Sequence, residues 1–333
     1  MPAEGGATRR FFREAVARAL REEMRRDPAL LLLGQDIGAF GGPYRDFEGL
    51  LAEFGPLRVR DTPVAEAAMV GLAVGAAAAG ARALVAITYM DFLMLALDPL
   101  VNYAAKLRFK TAGQLAAPVV VKTTSGAKGQ GVAHSQCLEA WLMNVPGLAV
   151  VAPSSPGDAY GLLKTALRAP GPVVFVDHKR LFPLAGPVPD EETTIPFGVA
   201  AIRREGRDVT LATHGYMTHP TLAAAAMLAA EGISAEVVDL RSLAPLDLGT
   251  LAGSAARTGA LVTVEEGQLP CGVGAEIAFR VRERVPNLVV ARVGARPVPI
   301  SSNPALEAAA LPDAQRIAAA ARRLLRPSAG ESP

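Results

Sequence analysis

The sequence has few cysteines, few aromatic residues and almost no net charge. Its 333 residues include two cysteines, one tryptophan and four histidines, and 34 Lys and Arg residues face 32 Asp and Glu residues, for a formal net charge of +2. Two cysteines far apart in the chain do not support a disulfide framework, so a reducing cytoplasm is the expected location. The balanced charge predicts no nucleic acid partner, because it leaves no basic surface for one.

Nothing in the sequence is both long and apolar enough for a membrane span. A run of fifteen residues, 67–81, carries no charge. It is too short and too rich in glycine and alanine for a span, which takes about 20 apolar residues. No signal peptide opens the chain. Half of the residues are nevertheless apolar, which indicates extensive burial and large subunit interfaces. We therefore expect a soluble protein without a membrane partner.

The pattern of apolar segments predicts two α/β domains. Short, uniformly apolar segments alternate with segments of helical periodicity along most of the chain, as in a parallel sheet covered on both faces. A length of 333 residues also favours two domains over one. The predicted units are a first domain at 1–182, a proline-rich linker at 183–197, a second domain at 198–326 and a disordered tail at 327–333.

The individual elements follow from the periodicity of the apolar residues. In the first unit the predicted strands are 29–33, 83–88, 119–123, 148–152 and 173–177, and the predicted helices are 9–26, 67–81, 92–107, 134–143 and 157–168. In the second unit the predicted strands are 209–213, 235–240, 261–265 and 288–293, and the predicted helices are 218–231, 246–256, 274–284 and 313–325. The second domain is thus a smaller one, with a mixed or parallel sheet.

One carboxylate is unusual in this pattern. Glu66 follows the segment Asp61-Thr-Pro-Val-Ala and precedes the uncharged run, so it falls near the N-terminus of a buried helix. A carboxylate is seldom buried without a partner or a task. Gly71 and Gly75 recur on this helix at helical spacing and would let another backbone approach closely. The structural alternative for Glu66 is a capping or ion-paired glutamate.

The residues by themselves assign no reaction. The four histidines show no metal-ligand spacing, and His214 and His219 would not share one helix face. Spacing leaves a Ser-His-Asp triad open, but no glycine–X–serine–X–glycine elbow is present. The glycine pairs at 129–131 and 272–274 lack the strand–turn–helix context of a dinucleotide site.

Several motifs nevertheless occur together and in order between about residue 10 and residue 325. They are Leu33-Gly-Gln-Asp36, Arg60-Asp-Thr-Pro-Val-Ala-Glu66, Gly71–Gly80, Met90-Asp-Phe92, Val101–Arg108, His134-Ser-Gln136, Pro146-Gly-Leu148 and Val264-Glu-Glu266. As a set they resemble the β subunit of the E1 component of 2-oxo acid dehydrogenase complexes, a thiamine diphosphate enzyme of the transketolase superfamily. The resemblance implies an N-terminal domain that binds the pyrimidine ring of the cofactor and a C-terminal transketolase-type α/β domain.

The resemblance also implies an activity and the residues that perform it. An enzyme of this family decarboxylates a small 2-oxo acid, or cleaves acetoin, and passes the acyl group to a lipoyl group on an E2 protein. By position in its motif, Glu66 is the carboxylate that bonds N1′ of the pyrimidine ring, with Phe92 and Ile37 as further cofactor contacts. His134 matches the histidine that acts on the substrate, since histidine exchanges protons near neutral pH. The alternatives are core packing for Phe92 and a helix cap for His134.

The diphosphate half of the cofactor has no evident site. The family holds the diphosphate and Mg²⁺ with Gly-Asp-Gly and a later Asn, whereas this chain has Gly157-Asp158-Ala159. The resemblance therefore implies an E1 α subunit that supplies this half, in an α2β2 heterotetramer with the active site at the interface, for which helix 67–81 is a candidate surface. Some relatives also bind K⁺ through backbone carbonyls at the positions of Ala166 and Leu167.

Some positions depart from the family pattern. Gln35 and Ala86 stand where members have Glu, and a glutamine cannot relay a proton as a carboxylate does. The loop before His134 is about one residue shorter than usual and carries Lys128 and Gln130. Because that loop faces the substrate in relatives, the sequence leaves the substrate open. Two other hypotheses also stay open: a split transketolase that acts on a sugar phosphate, and a non-catalytic regulatory or scaffold subunit.

Overall fold

The computed structural model describes residues 6–325, and the tail predicted at 327–333 lies outside them. The strands form a seven-stranded sheet, a five-stranded sheet and a two-stranded ribbon. In chain order they are β1 Ala7–Phe11, β2 Leu30–Gly34, β3 Val59–Asp61, β4 Arg82–Ile87, β5 Val119–Ser125, β6 Ala149–Val151, β7 Val173–His178, β8 Ala185–Pro189, β9 Ala201–Arg204, β10 Val209–Thr213, β11 Ala235–Asp239, β12 Ser242–Ala244, β13 Ala260–Gln268 and β14 Val289–Ala295.

The helices fill the intervals between the strands. They are α1 Phe12–Arg26, α2 Leu50–Phe54, α3 Glu66–Ala78, α4 Met90–Leu93, α5 Ala105–Lys110, α6 Glu139–Met143, α7 Pro156–Arg168, α8 Thr218–Ala230, α9 Leu248–Thr258, α10 Val273–Arg284, α11 Pro304–Ala310 and α12 Ala314–Leu325. The helix predicted at 92–107 is a series of short segments, because a 3-10 turn and a π-helical stretch at Asp98–Ala104 separate α4 from α5. Within the described range no helix has the length and apolarity to cross a membrane.

The first sheet has the order β12-β6-β7-β5-β4-β2-β3. Its strands from β6 to β3 run parallel, and β12 pairs antiparallel with β6. Side chains alternate between its two faces. In β4, Val85 and Ile87 join the core layer of α3, whereas Leu84 and Ala86 join the layer of α1 and α7. Both faces of the sheet are therefore covered by helices, as the uniformly apolar strands predict.

The second sheet, β14-β13-β10-β11-β9, belongs to the C-terminal half of the chain. Its first four strands are parallel, and β9 pairs antiparallel with β11. Residues of α8 and α12 pack on one face of this sheet, and residues of α9 and α10 on the other. The expected fold class, two α/β domains with mainly parallel sheets, is confirmed.

The two halves of the chain are interlocked rather than simply joined. β12 lies beyond the predicted linker, yet it completes the edge of the first sheet. β8 lies inside the linker predicted at 183–197 and pairs with β1. Prolines are compatible with such a two-stranded ribbon, because an edge strand has N–H positions that need no partner. Arg203 also binds Asp158 of α7 and Asp239 at the end of β11, which ties the first domain to the second.

The helix predicted at 134–143 is wrong in its first half. Residues 126–138 contain no helix or strand and form a loop between β5 and α6, called here the His134 loop. The backbone N–H and the side-chain amide of Gln136 both donate to Asp91 Oδ1, at 3.2 and 2.9 Å. A side chain from another segment thus satisfies the loop backbone in place of a helical carbonyl. Only the tertiary structure brings that side chain within reach.

Candidate active site

The residues predicted for the site lie at one edge of the first sheet. β3, β2, β4, β5 and β7 are neighbours and parallel in that order, so the segments that follow them meet beyond their carboxyl ends. Glu66 follows β3, Ile37 follows β2, Phe92 follows β4 and His134 follows β5. The fold thus collects at a single edge four residues that are widely separated in the sequence.

Glu66 is a buried carboxylate with one neutral partner. Its side chain belongs to the first residue of α3 and is 4% exposed. Its Oε1 accepts a hydrogen bond from Gln35 Nε2 at 3.2 Å, and no Lys, Arg or His in residues 6–325 forms a salt bridge with it. The N-terminus of a helix favours a negative charge. A carboxylate can accept several hydrogen bonds, so most of this capacity is available to a ligand nitrogen.

Asp61 positions the turn that follows β2. Its Oδ1 accepts a hydrogen bond from the Gly38 backbone N–H at 2.7 Å. A Cβ atom at Gly38 would lie 2.5 Å from Asp61 Oδ2, so a larger residue there would displace the Asp61 carboxylate. Ile37, in the same turn, points its side chain into the core beside α1 and α7 and is 1% exposed. The segment from Asp61 to Glu66 therefore provides a structural carboxylate as well as the buried one.

His134 lies against two aromatic rings. It makes edge-to-face contacts with Tyr89, at a centroid distance of 4.7 Å, and with Phe92, at 5.4 Å. Its side chain is half-buried, and neither ring nitrogen has a hydrogen-bond partner in the described part of the chain. The alternative of a helix cap does not apply, because α6 begins only at Glu139. The two aromatic rings thus orient the imidazole, and its ring nitrogens remain able to contact a substrate.

Two carboxylates of the C-terminal domain hold the His134 loop. Neither was identified from the sequence as a site residue. Glu266, in β13, accepts a hydrogen bond from Ala127 N–H at 2.7 Å and lies 2.9 Å from His178 Nε2. Burial raises the pKa of Glu266, but the interactions with His178 and Ala127 outweigh it and lower the pKa overall. Glu307, in α11, accepts a bond from Gly129 N–H at 2.7 Å. The sequence motif at 264–266 contains Glu266, but its partners are distant in sequence.

A cleft of about 440 Å³ separates the His134 loop from the C-terminal domain. Three buried carboxylates, Glu139, Glu265 and Glu266, line it. Burial raises the pKa of Glu139 to about 7, with added repulsion from Glu265 and Glu266. Burial likewise raises the pKa of Glu265 to about 7, against the stabilising N–H groups at the start of α10. The cleft thus contains two carboxyl groups whose pKa lies close to neutral pH.

We expect Glu139→Gln to stabilise the protein at pH 8 and to change its stability little at pH 5. The folded-state pKa, about 7, lies above the ordinary glutamate value of 4.5, so the folded wild type binds more protons than the unfolded chain between these pH values. Wild-type stability therefore falls as pH rises through this window, by up to about 3 kcal/mol. Urea unfolding at both pH values measures the difference. Exposed Glu205→Gln is the control, and equal destabilisation by Glu139→Gln at both pH values would contradict the expectation.

The carbonyl groups expected to bind K⁺ do not fit a potassium site. Ala166 and Leu167 lie in the last turn of α7, beside the amino end of β4. Arg82 Nη1 donates to Leu167 O at 3.2 Å and to Ala169 O at 2.9 Å. The Ala166 carbonyl accepts a hydrogen bond from Ala169 N–H at 3.2 Å. A guanidinium already compensates the negative end of the helix dipole here, and it would repel a second cation.

We therefore expect the stability of the chain to be independent of K⁺. At equal ionic strength, the wild type should melt at the same temperature in potassium chloride and in choline chloride. Arg82→Gln should lower the free energy of unfolding by about 1–3 kcal/mol, because two carbonyls lose a charged donor. Exposed Arg207→Gln should leave it unchanged. A rise in the melting temperature of the wild type that is specific to K⁺ would show a bound ion and overturn this assignment.

Comparisons with known proteins identify families that are similar to both domains. Residues 10–184 match the family described as "Transketolase, pyrimidine binding domain", and residues 198–317 match "Transketolase, C-terminal domain". The chain is 44% identical over 319 residues to the "Pyruvate dehydrogenase E1 component subunit beta-2, mitochondrial" of Oryza sativa subsp. japonica, which covers 93% of this chain and 85% of that protein. It is 42% identical over 328 residues to the "Acetoin:2,6-dichlorophenolindophenol oxidoreductase subunit beta" of Cupriavidus necator. This match covers 94% of this chain and 96% of that protein.

A solved structure is similar over nearly the whole chain. It is described as "Split gene transketolase, inactive beta4 tetramer" and superimposes with a TM-score of 0.79 at 28% identity, covering 96% of this chain and 98% of that one.

Proposed function

The chain belongs to the family of E1 β subunits of pyruvate and acetoin dehydrogenases, within the transketolase superfamily, and we propose that it forms the pyrimidine-binding half of a thiamine diphosphate site. The resemblance expected from the sequence motifs is thereby confirmed at the level of the family. The proposed reaction is oxidative decarboxylation of a small 2-oxo acid, or cleavage of acetoin, followed by transfer of the acyl group to a lipoyl group on an E2 protein.

The observation that carries this proposal is the buried carboxylate of Glu66. Within residues 6–325 its side chain has a single hydrogen bond, to Gln35, and no salt bridge, so it is able to bind a ring nitrogen. These features fit the pyrimidine ring of thiamine diphosphate. When bound, this cofactor supplies the carbanion chemistry that breaks a bond next to a carbonyl group. Glu66 would hold the proton shared with the ring nitrogen.

Phe92 and His134 would serve the substrate side of the same site. Phe92 presents a half-buried ring that would act as an apolar wall and exclude water. His134, held between this ring and Tyr89, would donate or accept a proton at a free ring nitrogen. Gln35 replaces the carboxylate found in relatives and would keep Glu66 oriented without itself relaying a proton.

We propose that a separate E1 α subunit holds the diphosphate and Mg²⁺. Asp158, the acidic residue of the motif Gly157-Asp158-Ala159, is already bound to Arg203 and to the side chain of Ser155. Across residues 6–325 no group of three or more His, Cys, Asp or Glu side chains is arranged to hold a metal ion. Both facts support a site that a partner completes, as in the proposed α2β2 assembly.

An apolar surface beside the site suits such a partner. The outer face of α3 is exposed, and Gly71 and Gly75 have open space where a side chain would stand. Among the large exposed apolar residues, Leu72 lies on α3, and Leu95 and Tyr103 lie on the segments that pack against α3. A concentration of this kind marks an interaction surface. The small residues of α3 would allow the backbone of the partner to come close.

The working compartment is proposed to be the cytoplasm. Both cysteines are free thiols, which suits a reducing environment. The name of the rice relative places that protein in mitochondria, whereas the name of the bacterial relative does not.

The experiment that tests the function is co-expression of this chain with candidate E1 α subunits. Consumption of pyruvate, other short 2-oxo acids and acetoin is followed with an artificial electron acceptor, with and without thiamine diphosphate and Mg²⁺. We expect turnover only when both subunits and both cofactors are present. Turnover by this chain alone would overturn the divided site, and an inactive complex that binds the cofactor would favour a regulatory role.

A second candidate is a split transketolase, which the structural similarity to the inactive β4 tetramer favours. Such an enzyme transfers a ketol group between sugar phosphates and needs a cluster of basic residues for the phosphate. The sequence indicates no such cluster, so the first proposal is preferred. The same complexes assayed with a ketose phosphate and an aldose phosphate, by following the ketose product, discriminate between the two.

A further inference from the structure

The His134 loop is long and irregular, yet its conformation is well defined by contacts. It leaves β5 at Gly126, where φ is +85° and a Cβ atom would lie 1.7 Å from His178 Nε2, so only glycine fits. The loop contains no helix or strand before α6, and Lys128 near its tip is exposed. A histidine on such a loop needs an external support if it is to keep one position relative to a substrate.

Lys179 contacts the loop at two points. This residue follows β7, and its side chain is almost fully buried. Its Nζ donates to Gly126 O at 2.7 Å and also to the carbonyl oxygen of His134 itself. The same ammonium lies 4.8 Å from the ring centroid of Tyr89, and Tyr89 in turn contacts the His134 imidazole. One buried charge therefore joins the start of the loop, the histidine backbone and the ring that orients the histidine side chain.

The partners of Lys179 distinguish it from the other buried lysines. Within residues 6–325 three lysines are buried, and Lys122 and Lys164 each form a direct salt bridge with a carboxylate. Lys179 instead donates its N–H groups to backbone carbonyls. Burial lowers the pKa of Lys179, while more distant carboxylates, Asp91, Glu266 and Glu307 among them, counteract this effect, as does the nearby Cys137. A cation without a paired anion is costly to bury, which indicates that its contacts have another use.

We propose that Lys179 is the positioning residue for His134, and that its ammonium group holds the loop and the imidazole in the geometry that the reaction requires. The proposal deepens the proposed function, because it assumes that His134 acts on the substrate. The structural part of it, that Lys179 restrains the loop, does not depend on that assumption. The two parts can therefore be tested separately.

The structural part is tested on the isolated full-length chain by limited trypsin digestion. Lys179→Met removes the three N–H donors and keeps an unbranched side chain that is one heavy atom shorter. Cleavage after Lys128, identified by mass spectrometry, should become at least about tenfold faster, since loop opening controls access of the protease. Lys164→Met, which removes another buried lysine distant from the loop, should not change cleavage at this site. Urea unfolding of each variant separates local opening from general destabilisation.

Hydrogen exchange of the amides at 126–136 gives an independent measure, and Lys179→Gln serves if the methionine variant does not fold. Glutamine retains an N–H donor without the charge, so intermediate protection of the loop is expected. If cleavage after Lys128 and amide exchange in Lys179→Met match the wild type and Lys164→Met, the restraint does not exist and the proposal fails.

The catalytic part is tested in the assembled complex with the substrate found active. Lys179→Met should lower kcat about 10–100-fold with a smaller change in the apparent affinity for the cofactor. In a background of His134→Ala, the same substitution should cause little additional loss, because a residue that acts through His134 cannot act when it is absent. Fully additive losses would show that Lys179 acts elsewhere. A complex inactive as wild type would instead reject the proposed function and leave the result of the digestion intact.

Discussion

Replacing Glu66 with glutamine is expected to lower kcat of the assembled enzyme by a factor of about 10²–10⁴. Glutamine has nearly the same shape but carries no negative charge and cannot take up a proton in its place. Within residues 6–325 the removed carboxylate has Gln35 as its one hydrogen-bond partner and forms no salt bridge, so the fold should not be weakened by the loss of an ion pair. The deficit should therefore appear in turnover and not in assembly.

The measurement is steady-state turnover at saturating cofactor, together with size-exclusion chromatography of the complex. Glu191→Gln, at an exposed position in the segment between the domains, is the matched control and should leave turnover unchanged. If the Glu66 variant turns over like the wild type, Glu66 has no role in proton transfer. A variant that fails to assemble is examined by the unfolding of the isolated chain, which should remain within about 1 kcal/mol of the wild type.

Lys122→Met is expected to lower the free energy of unfolding by about 3–5 kcal/mol, because removing one member of a buried ion cluster leaves the others uncompensated. Lys122 lies in β5 and is almost fully buried, and its Nζ is 2.5 Å from carboxylate oxygens of both Asp46 and Asp177. The rings of Phe47 and Phe182 are each 5.4 Å from the same Nζ. Without the ammonium, two carboxylates face each other in an apolar environment.

The loss should be larger at pH 8 than at pH 5. Burial raises the pKa of Asp177 to about 6 in the wild type, although Lys122 opposes the shift. Without Lys122 the folded-state pKa of Asp177 lies still further above its unfolded value, so the folded variant takes up a proton as the pH falls and recovers stability. Urea unfolding at both pH values measures this. Arg25→Met, which removes an exposed ion pair with Glu53, should cost less than about 1 kcal/mol. A loss for Lys122→Met as small as this at both pH values would contradict the assignment.

Local pattern was sufficient to predict most of the fold. Uniformly apolar strands and periodic helices each depend on residues close together in the chain, and both sheets form with the expected parallel strands. The helix predicted at 134–143 does not form over residues 134–138, because Asp91, a residue of another segment, accepts the hydrogen bonds of the loop at Gln136. The sequence does not predict β1, β3, β8, β9 and β12, because three to five residues carry a weak signal. β8 and β12 also pair with strands far away in sequence.

Some residues of the candidate site can likewise be identified from the sequence, and others cannot. Glu66 was recognisable from sequence because an acid next to a long uncharged run is rare, and the family motifs then supplied a role for it. Lys179 and Lys122 could not be found in this way, because a lysine in or beside an apolar strand has no sequence feature that reveals which oxygen atoms lie opposite. Likewise, only the position of Arg82 beside α7 shows that the carbonyls of Ala166 and Leu167 are already occupied.

The sequence by itself thus determined the class of fold, the family and the identity of the buried acid, since these depend on residue type and on order along the chain. The tertiary structure decided which side chains hold the His134 loop, where buried charges are compensated and which expected ion site does not fit. The physical reason is that hydrogen bonds and ion pairs act over about 3 Å, and their partners here are brought together by parallel strands from distant parts of the chain.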